Sequence, residues 1–356
     1  MFNSKSTHFL EEMLKSSSPS GFEAETGKIY KDYISSFCDK TYVDSMGNIT
    51  GVINEAADFK VMLAGHYDEI GFQVVHISDE GFIYFRKVGG IDTLTLPGLE
   101  VEIINETGKT FGVIGKKAIH LVAAKDRDKT LEIKDLWIDI GTSSKKETEK
   151  LVAVGDPIAV KCNYSKLAGN KIKSKGLDDK IGAFVAAEVA RKIAKARPEN
   201  IGLYCVGTVQ EELGCRGAQT SAFNIDPNVA FAIDVGFATD TPDMQPKEIG
   251  VAKLGKGPLL SRNADENRIL GKIIRDICKR KKIQFQEDAG FTASGGTDSA
   301  VIQLSRAGVA TTLVSIPNRY MHTSVEVVDM QDVKNAVALI TETILSLKGN
   351  ELFIPF

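Results

Sequence analysis

A surplus of basic charge is missing from this sequence: 44 Lys and Arg stand against 47 Asp and Glu, for a formal net charge of −3. Without excess cations a protein has little to set against a run of phosphates, so nucleic acid is not expected as the main partner. Long apolar runs are missing as well. The stretch from Ala307 to Asn318 stays uncharged for only twelve residues. A membrane span needs about 20 apolar residues, so none is expected. Cysteine is sparse and poorly spaced for pairing. Cys38, Cys162, Cys205, Cys215 and Cys278 are odd in number, and no two stand as CxxC. This argues against a disulfide framework or a zinc knuckle and for a reducing cytoplasm. The opening MFNSKSTHFLEEMLK has no apolar core and carries Glu11 and Glu12, so no secretory signal is expected. Internal repeats and low-complexity segments are also lacking.

What is present reads as a globular protein: 356 residues, 43% hydrophobic and 26% charged, long enough for about two domains. Phe9, Met13 and Leu14, then Ile29, Tyr33, Ile34 and Phe37, recur at helical spacing on either side of a SPSGFE turn. VMLAG (61–65) is a buried strand that stops at His66. From Gly71 to Cys162 the texture changes to short β runs (FQVVHI, FIYFRKV, LEVEIIN, FGVIG, LWIDIG) separated by turns, with GDPIAV leading back. After Gly176, apolar strands (IGLYCVGTV, VAFAID, VATTLVSIP) alternate with helices predicted over 179–196, 267–282, 297–306 and 329–348. This pattern predicts an α/β fold, its sheet covered by helices on both faces. The simplest account is one α/β domain (1–70 and 163–356) with a β-rich domain (71–162) inserted after the His66 strand.

Of five histidines, His66 and His322 follow apolar strands. Asp68 lies two residues beyond His66. Glu211 and Glu212 follow IGLYCVGTVQ, Asp234 follows VAFAI, and Asp178 and Asp179 precede a helix. In open α/β sheets, ligands bind at the carboxyl ends of the strands, so these side chains are predicted to converge on one crevice. Each alone has an ordinary explanation. A histidine at a strand end is a surface residue, Glu-Glu is a solvated loop, and Asp-Asp is a helix cap. Asp234 resists such an explanation, because a charge directly after VAFAI is desolvated unless paired. Jointly, imidazoles and carboxylates suit zinc, cobalt or manganese. Two histidines and three carboxylates suffice for two metals if one carboxylate bridges, and a further carboxylate must move the proton.

The ordered motifs AGHYDEIG (64–71), GLDDKIG (176–182), VQEELGCRGA (209–218), AIDVG (232–236) and YMHTSVE (320–326) resemble those of the M42 metallo-aminopeptidases. That family includes the glutamyl and the tetrahedral aminopeptidases. SPSGFE (18–23) and SGGTDSA (294–300) match further landmarks. The resemblance implies a zinc-exopeptidase-like mixed sheet flanked by helices, with an inserted PDZ-like β domain used for dimerisation. It implies His66 and Asp234 as terminal ligands of one metal, Glu212 and His322 of the other, and Asp178 as the bridge. Glu211 would be the general base on a metal-bridged water, and Asp68 would orient His66. Two divalent ions per chain are implied, with peptides as substrates and a closed homo-oligomer, a dodecamer. Lys180 departs from the arginine of many relatives. The GGTDS stretch (295–299) reads either as a loop beside the site or as a helix start capped by Thr297 or Asp298.

Other classes fit less well. A two-metal amidohydrolase or deacetylase would use the same ligands with a different pocket. A glycosidase needs carboxyls about 5 or 6.5–9.5 Å apart across a sugar, and leaves both histidines unexplained. A peptide-capturing module would bind by strand addition without turnover. Arg262 and Arg319 are candidates for favouring an acidic residue at the cleaved end.

Overall fold

The computed structural model describes residues 2–127, 129–290 and 296–356. Among these, 17 strands and nine α-helices are formed. The chain begins with α1 (Ser4–Lys15) and α2 (Ala24–Ile34), then β1 (Lys40–Val43), β2 (Ile49–Ile53) and β3 (Lys60–His66). There follow β4 (Gly71–Ile77), β5 (Ile83–Val88), β6 (Glu100–Asn105), β7 (Gly108–Lys116), β8 (Leu136–Asp139), the short α3 (Lys145–Thr148) and β9 (Pro157–Val160). Next come β10 (Ser165–Lys166), β11 (Lys171–Ser174), α4 (Leu177–Ala196), β12 (Gly202–Thr208), α5 (Arg216–Ile225), β13 (Val229–Phe237) and α6 (Pro246–Ile249). The remainder is β14 (Leu259–Ser261), α7 (Arg268–Lys281), β15 (Gln286–Asp288), α8 (Asp298–Ile302), β16 (Ala310–Arg319), β17 (Glu326–Asp329) and α9 (Met330–Ser346).

Eleven strands make one mixed sheet in the order β1-β2-β12-β3-β13-β16-β17-β11-β10, with β14 and β15 joined to the edge of β16. Its centre, β12-β3-β13-β16, is parallel. Those strands are mostly apolar and almost wholly buried because both faces are covered. On one face Phe9, Met13, Tyr30, Phe184, Val189, Ile274 and Ile340 pack from the helices α1, α2, α4, α7 and α9. On the other, Ala218, Ala222 and Ile302 of α5 and α8 meet Met62, Val206 and Ala230. Helix starts follow from local chemistry: Asn3, Asn267 and Asp329 each accept backbone N–H bonds at the ends of α1, α7 and α9.

The strands from Gly71 to Val160 close on themselves as a barrel, β4-β5-β8-β7-β6-β9. GDPIAV is not a lead back to the sheet: β9 pairs with β4 and β6 and completes the closure. Phe72, Phe85, Val101, Ile138 and Ile158 fill the inside. The helix predicted over 297–306 ends at Ile302. Ser294 and Gly295 of the SGGTDSA landmark lie outside the described residues.

One close approach sets the geometry of the crevice. A Cβ on Gly65 would sit 2.5 Å from the Gly182 carbonyl carbon and 2.6 Å from Ala183 N. The penultimate residue of β3 therefore lies directly on the first turn of α4. Gly65→Ala is expected to destabilise the protein by about 1–3 kcal/mol, because a packed backbone pair must separate. Urea denaturation of both forms measures it; an unchanged midpoint would show that the turn gives way freely.

Candidate metal centre

Register brings the key side chains together. β13 pairs with β3 up to Ala232↔Ala64, so Asp234 and His66, each two residues further, share one face at adjacent strands. β13 runs on to Phe237 beside β16, so Asp234 lies within a strand rather than at its end. Thr208 pairs with His66 across β12 and β3, and the turn after β12 delivers Glu211 and Glu212. His322 follows β16 in a left-handed conformation, φ 60°.

Asp178 lies between the two imidazoles. Its Oδ1 is 3.3 Å from His66 Nε2 and its Oδ2 is 3.3 Å from His322 Nε2. Asp234 Oδ1 is 3.9 Å from His66 Nε2, and Glu212 Oε2 is 3.6 Å from His322 Nε2. Two donor sets result, His66–Asp178–Asp234 and Asp178–Glu212–His322, sharing Asp178, with the donor atoms of each set within 4.8 Å of one another. Glu211 Oε2 stands 3.8 Å from His66 Nε2. The two predicted roles of the Asp-Asp pair divide. Asp179 caps the helix, accepting from Gly182 N at 3.0 Å, while Asp178 faces the histidines.

A layer of supporting contacts fixes these groups. Asp68 Oδ1 is 3.3 Å from His66 Nδ1 and accepts Glu211 N at 3.1 Å, while its Oδ2 accepts Glu212 N at 3.2 Å and the Ser20 hydroxyl. One carboxylate thus pins both the imidazole and the glutamate turn. Glu326 accepts Asp178 N at 2.9 Å and His322 N at 3.2 Å. Gly90, from the barrel, lies against the His322 ring, where a Cβ would meet Nδ1 at 3.2 Å. Thr208 donates to Asp298 at 2.7 Å. Such outer contacts set the tautomer and aim of a ligating ring.

The electrostatics are those of crowded buried acids. Burial pushes Asp234 up to about 8 and Asp298 up to about 6, in each case against the pull of His66. Burial also raises Glu211 and Glu212 well above the ordinary carboxylate range, and neighbouring carboxylates add to it. Asp178 goes the other way: burial raises it, but the His322 and His66 imidazoles, each 3.3 Å from one of its oxygens, outweigh that and hold it low. His66 Nε2 and Glu212 Oε1 are buried without a hydrogen-bond partner, a costly condition for polar atoms. Divalent cations at the two donor sets would engage both atoms and relieve the repulsion among the acids. The imidazole and carboxylate donors fit such ions.

All seven residues singled out in the sequence gather here. Sequence reasoning assigned no role to Glu326, Ser20, Gly90 or Cys215, and read Asp298 as a residue of a loop beside the site or as a helix cap. Glu326 closes the quoted YMHTSVE, and Cys215 and Asp298 form a third acidic group with Glu211. Thr297 makes no side-chain cap on α8, and Asp298 is buried against Thr208. Lys180, fully buried, bonds to Glu69 and the Ser16 carbonyl. Arg319 is held by Asp240 through two bonds of 2.8 and 2.7 Å.

Residues 47–339 match the family model described as M42 glutamyl aminopeptidase. A lysyl aminopeptidase of Pyrococcus furiosus is 33% identical over 95% of this chain and 96% of its own. A TET aminopeptidase structure from the archaeon Thaumarchaeota archaeon SCGC AB-539-E09 superposes with a TM-score of 0.91 at 35% identity, covering 96% of each chain. A TET1 peptidase of Pyrococcus horikoshii, described as assembling into a tetrahedron or a large octahedral shell, gives 0.85 at 32% identity, over 96% of this chain and 100% of that one.

Proposed function

Because the chain belongs to the M42 glutamyl aminopeptidase family, whose members are metal-dependent peptide-bond hydrolases, we propose that it removes N-terminal residues from peptides using two divalent ions. His66, Asp178 and Asp234 would hold one ion, and Asp178, Glu212 and His322 the other. The observation that carries this reading is Asp178, whose two oxygens face the two imidazoles at equal distance. Bound there, such ions lower the pKa of water and polarise a carbonyl oxygen.

The remaining chemistry falls to the chain. Glu211 Oε1 accepts only a weak bond from the Cys215 thiol at 3.4 Å, and Asp68 fixes its backbone. Its other oxygen is free to take a proton from the attacking water and return it to the leaving amine. The adjoining cavity, of about 580 Å³, is lined by Glu211, Asp178 and Asp234. These carboxylates would hold a free α-ammonium, which favours chain ends over internal bonds.

Zinc or cobalt suits the donors best, with manganese also acceptable. Metal analysis of the purified protein is expected to return two ions per chain, hydrolysis to require a free rather than a blocked N-terminus, and chelation to abolish it. A maximum of one ion under metal excess would remove Asp178 from its bridging role. Turnover of N-acetylated substrates alone would point to the deacetylase instead.

The barrel exposes Leu94, Phe111, Ile119 and Leu121. These apolar residues support a dimerisation role for the insert and a closed oligomer, as in the relative that forms a tetrahedron. Light scattering is expected to give a multiple of the chain mass near twelve; a monomer at micromolar concentration would refute it. A cytoplasmic setting agrees with five cysteines that remain free.

A further inference from the structure

The cavity beside the paired donor sets has a floor that strand register defines. Asp234 of β13 pairs with Ser315 of β16, and Ser315 with Leu259 of β14. Two residues along, Ser261 pairs with Asp288 of β15. Paired residues, and those two apart, share a face of the sheet. Asp234, Ser315, Ser261 and Asp288 therefore lie on one face, and all four line the cavity. Three strand spacings of about 4.8 Å each separate Asp234 from Asp288, so the floor runs about 15 Å from the backbone of one to the backbone of the other.

The lining chemistry changes along that floor. Phe237, Met244, Ile249 and Leu313 give apolar walls. Besides the carboxylates of the metal sets and Glu211, the charged groups are Asp265 and Asp288. No lysine or arginine is among the described lining residues. Arg262 does not line the cavity, and Arg319 is committed to Asp240. Asp265 is held by Gln303 at 2.9 Å, whereas Asp288 accepts a 3.3 Å bond from the Ser261 hydroxyl on the floor itself.

We infer that this cavity receives a basic N-terminal side chain, lysine or arginine, with Asp288 as the residue that selects it. The inference rests on the aminopeptidase reading above and names its substrate class. A long aliphatic stem packs on the apolar walls while its charged end reaches the carboxylate. A leucine would fill the walls but strip water from Asp288 without replacing it. A glutamate would bring a like charge to the same place.

The test uses the full-length, metal-loaded protein with Lys-, Arg-, Leu- and Glu-p-nitroanilide. Lysyl and arginyl substrates are expected to exceed leucyl by at least about tenfold in kcat/KM, and glutamyl by about a hundredfold. Asp288→Asn should lower kcat/KM for lysine by about tenfold, mainly through KM, and raise it modestly for leucine, which no longer desolvates a charge. Calorimetry should show free L-arginine binding and L-glutamate not binding. Faster cleavage of leucyl or glutamyl substrate by the unmodified protein overturns the inference and leaves the aminopeptidase reading standing. An unchanged Lys:Leu ratio in Asp288→Asn does the same. Failure to cleave any of the four overturns both.

Discussion

Replacing Glu211 by glutamine is expected to lower kcat by about 10²- to 10⁴-fold, the range for a lost general base, while both ions and the oligomer are kept. Glu211 and Glu212 are adjacent and chemically alike, so composition does not separate them. Their surroundings do. Glu212 Oε2 lies 3.6 Å from His322 Nε2 in the set with Asp178, and its Oε1 is buried without a partner. Those surroundings suit the proposed metal-ligand role. Glu211 shares no donor set with Asp178, and its Oε1 meets only a thiol. Glu212→Gln should therefore weaken one ion, and added metal should restore part of the activity. Metal content and kcat on both variants decide. If Glu211→Gln lost an ion while Glu212→Gln kept two, the roles would be exchanged.

Glu69→Ala is expected to cost about 3–5 kcal/mol, the penalty for breaking a buried ion pair from one side. Glu69 is 2% exposed and receives Lys175 Nζ at 2.5 Å and Lys180 Nζ at 3.1 Å. Both ammonium groups also donate to the Ser16 carbonyl at 2.9 Å. Burial already holds Lys180 down to about 8, against the support of Glu69. Without that carboxylate, two buried cations keep one carbonyl between them. The damage would reach the active site, because the same network holds residues 16–20, and Ser20 bonds to Asp68. Urea denaturation measures the loss. A cost under about 1 kcal/mol would mean that water reaches the ammonium groups.

The central strands and the side chains that emerge from them were legible in the sequence. VMLAGH, GLYCVGT and VAFAIDV are buried on both faces, so their apolar character is nearly continuous and the polar residue that interrupts it is conspicuous. Edge pieces were not legible. β10, β14 and β15 have two or three residues each, too few to show a period. Helix α5, RGAQTSAFNI, packs through Gly217, Ala218, Ser221, Ala222 and Ile225, only one of them a large apolar residue. Spacing also missed Glu326 and Gly90, since a contact made across the fold with a candidate site residue leaves no local trace. The Asp178–Asp179 pair shows the limit clearly. The sequence offers two adjacent acids and two roles, and only the backbone path decides which acid turns inward.

The Gly89–Gly90 turn has an implication for how this enzyme could be re-engineered. A Cβ on Gly89 would meet Glu212 Oε2 at 3.2 Å, and one on Gly90 would meet His322 Nδ1 at 3.2 Å. Asp92 N bonds to the His322 carbonyl at 3.3 Å. The barrel is thus a wall of the candidate site as well as the proposed platform for subunit contacts. Excising it to obtain a smaller monomeric catalyst would unseat a histidine, whereas a trimmed version must retain this loop and a frame stiff enough to present it.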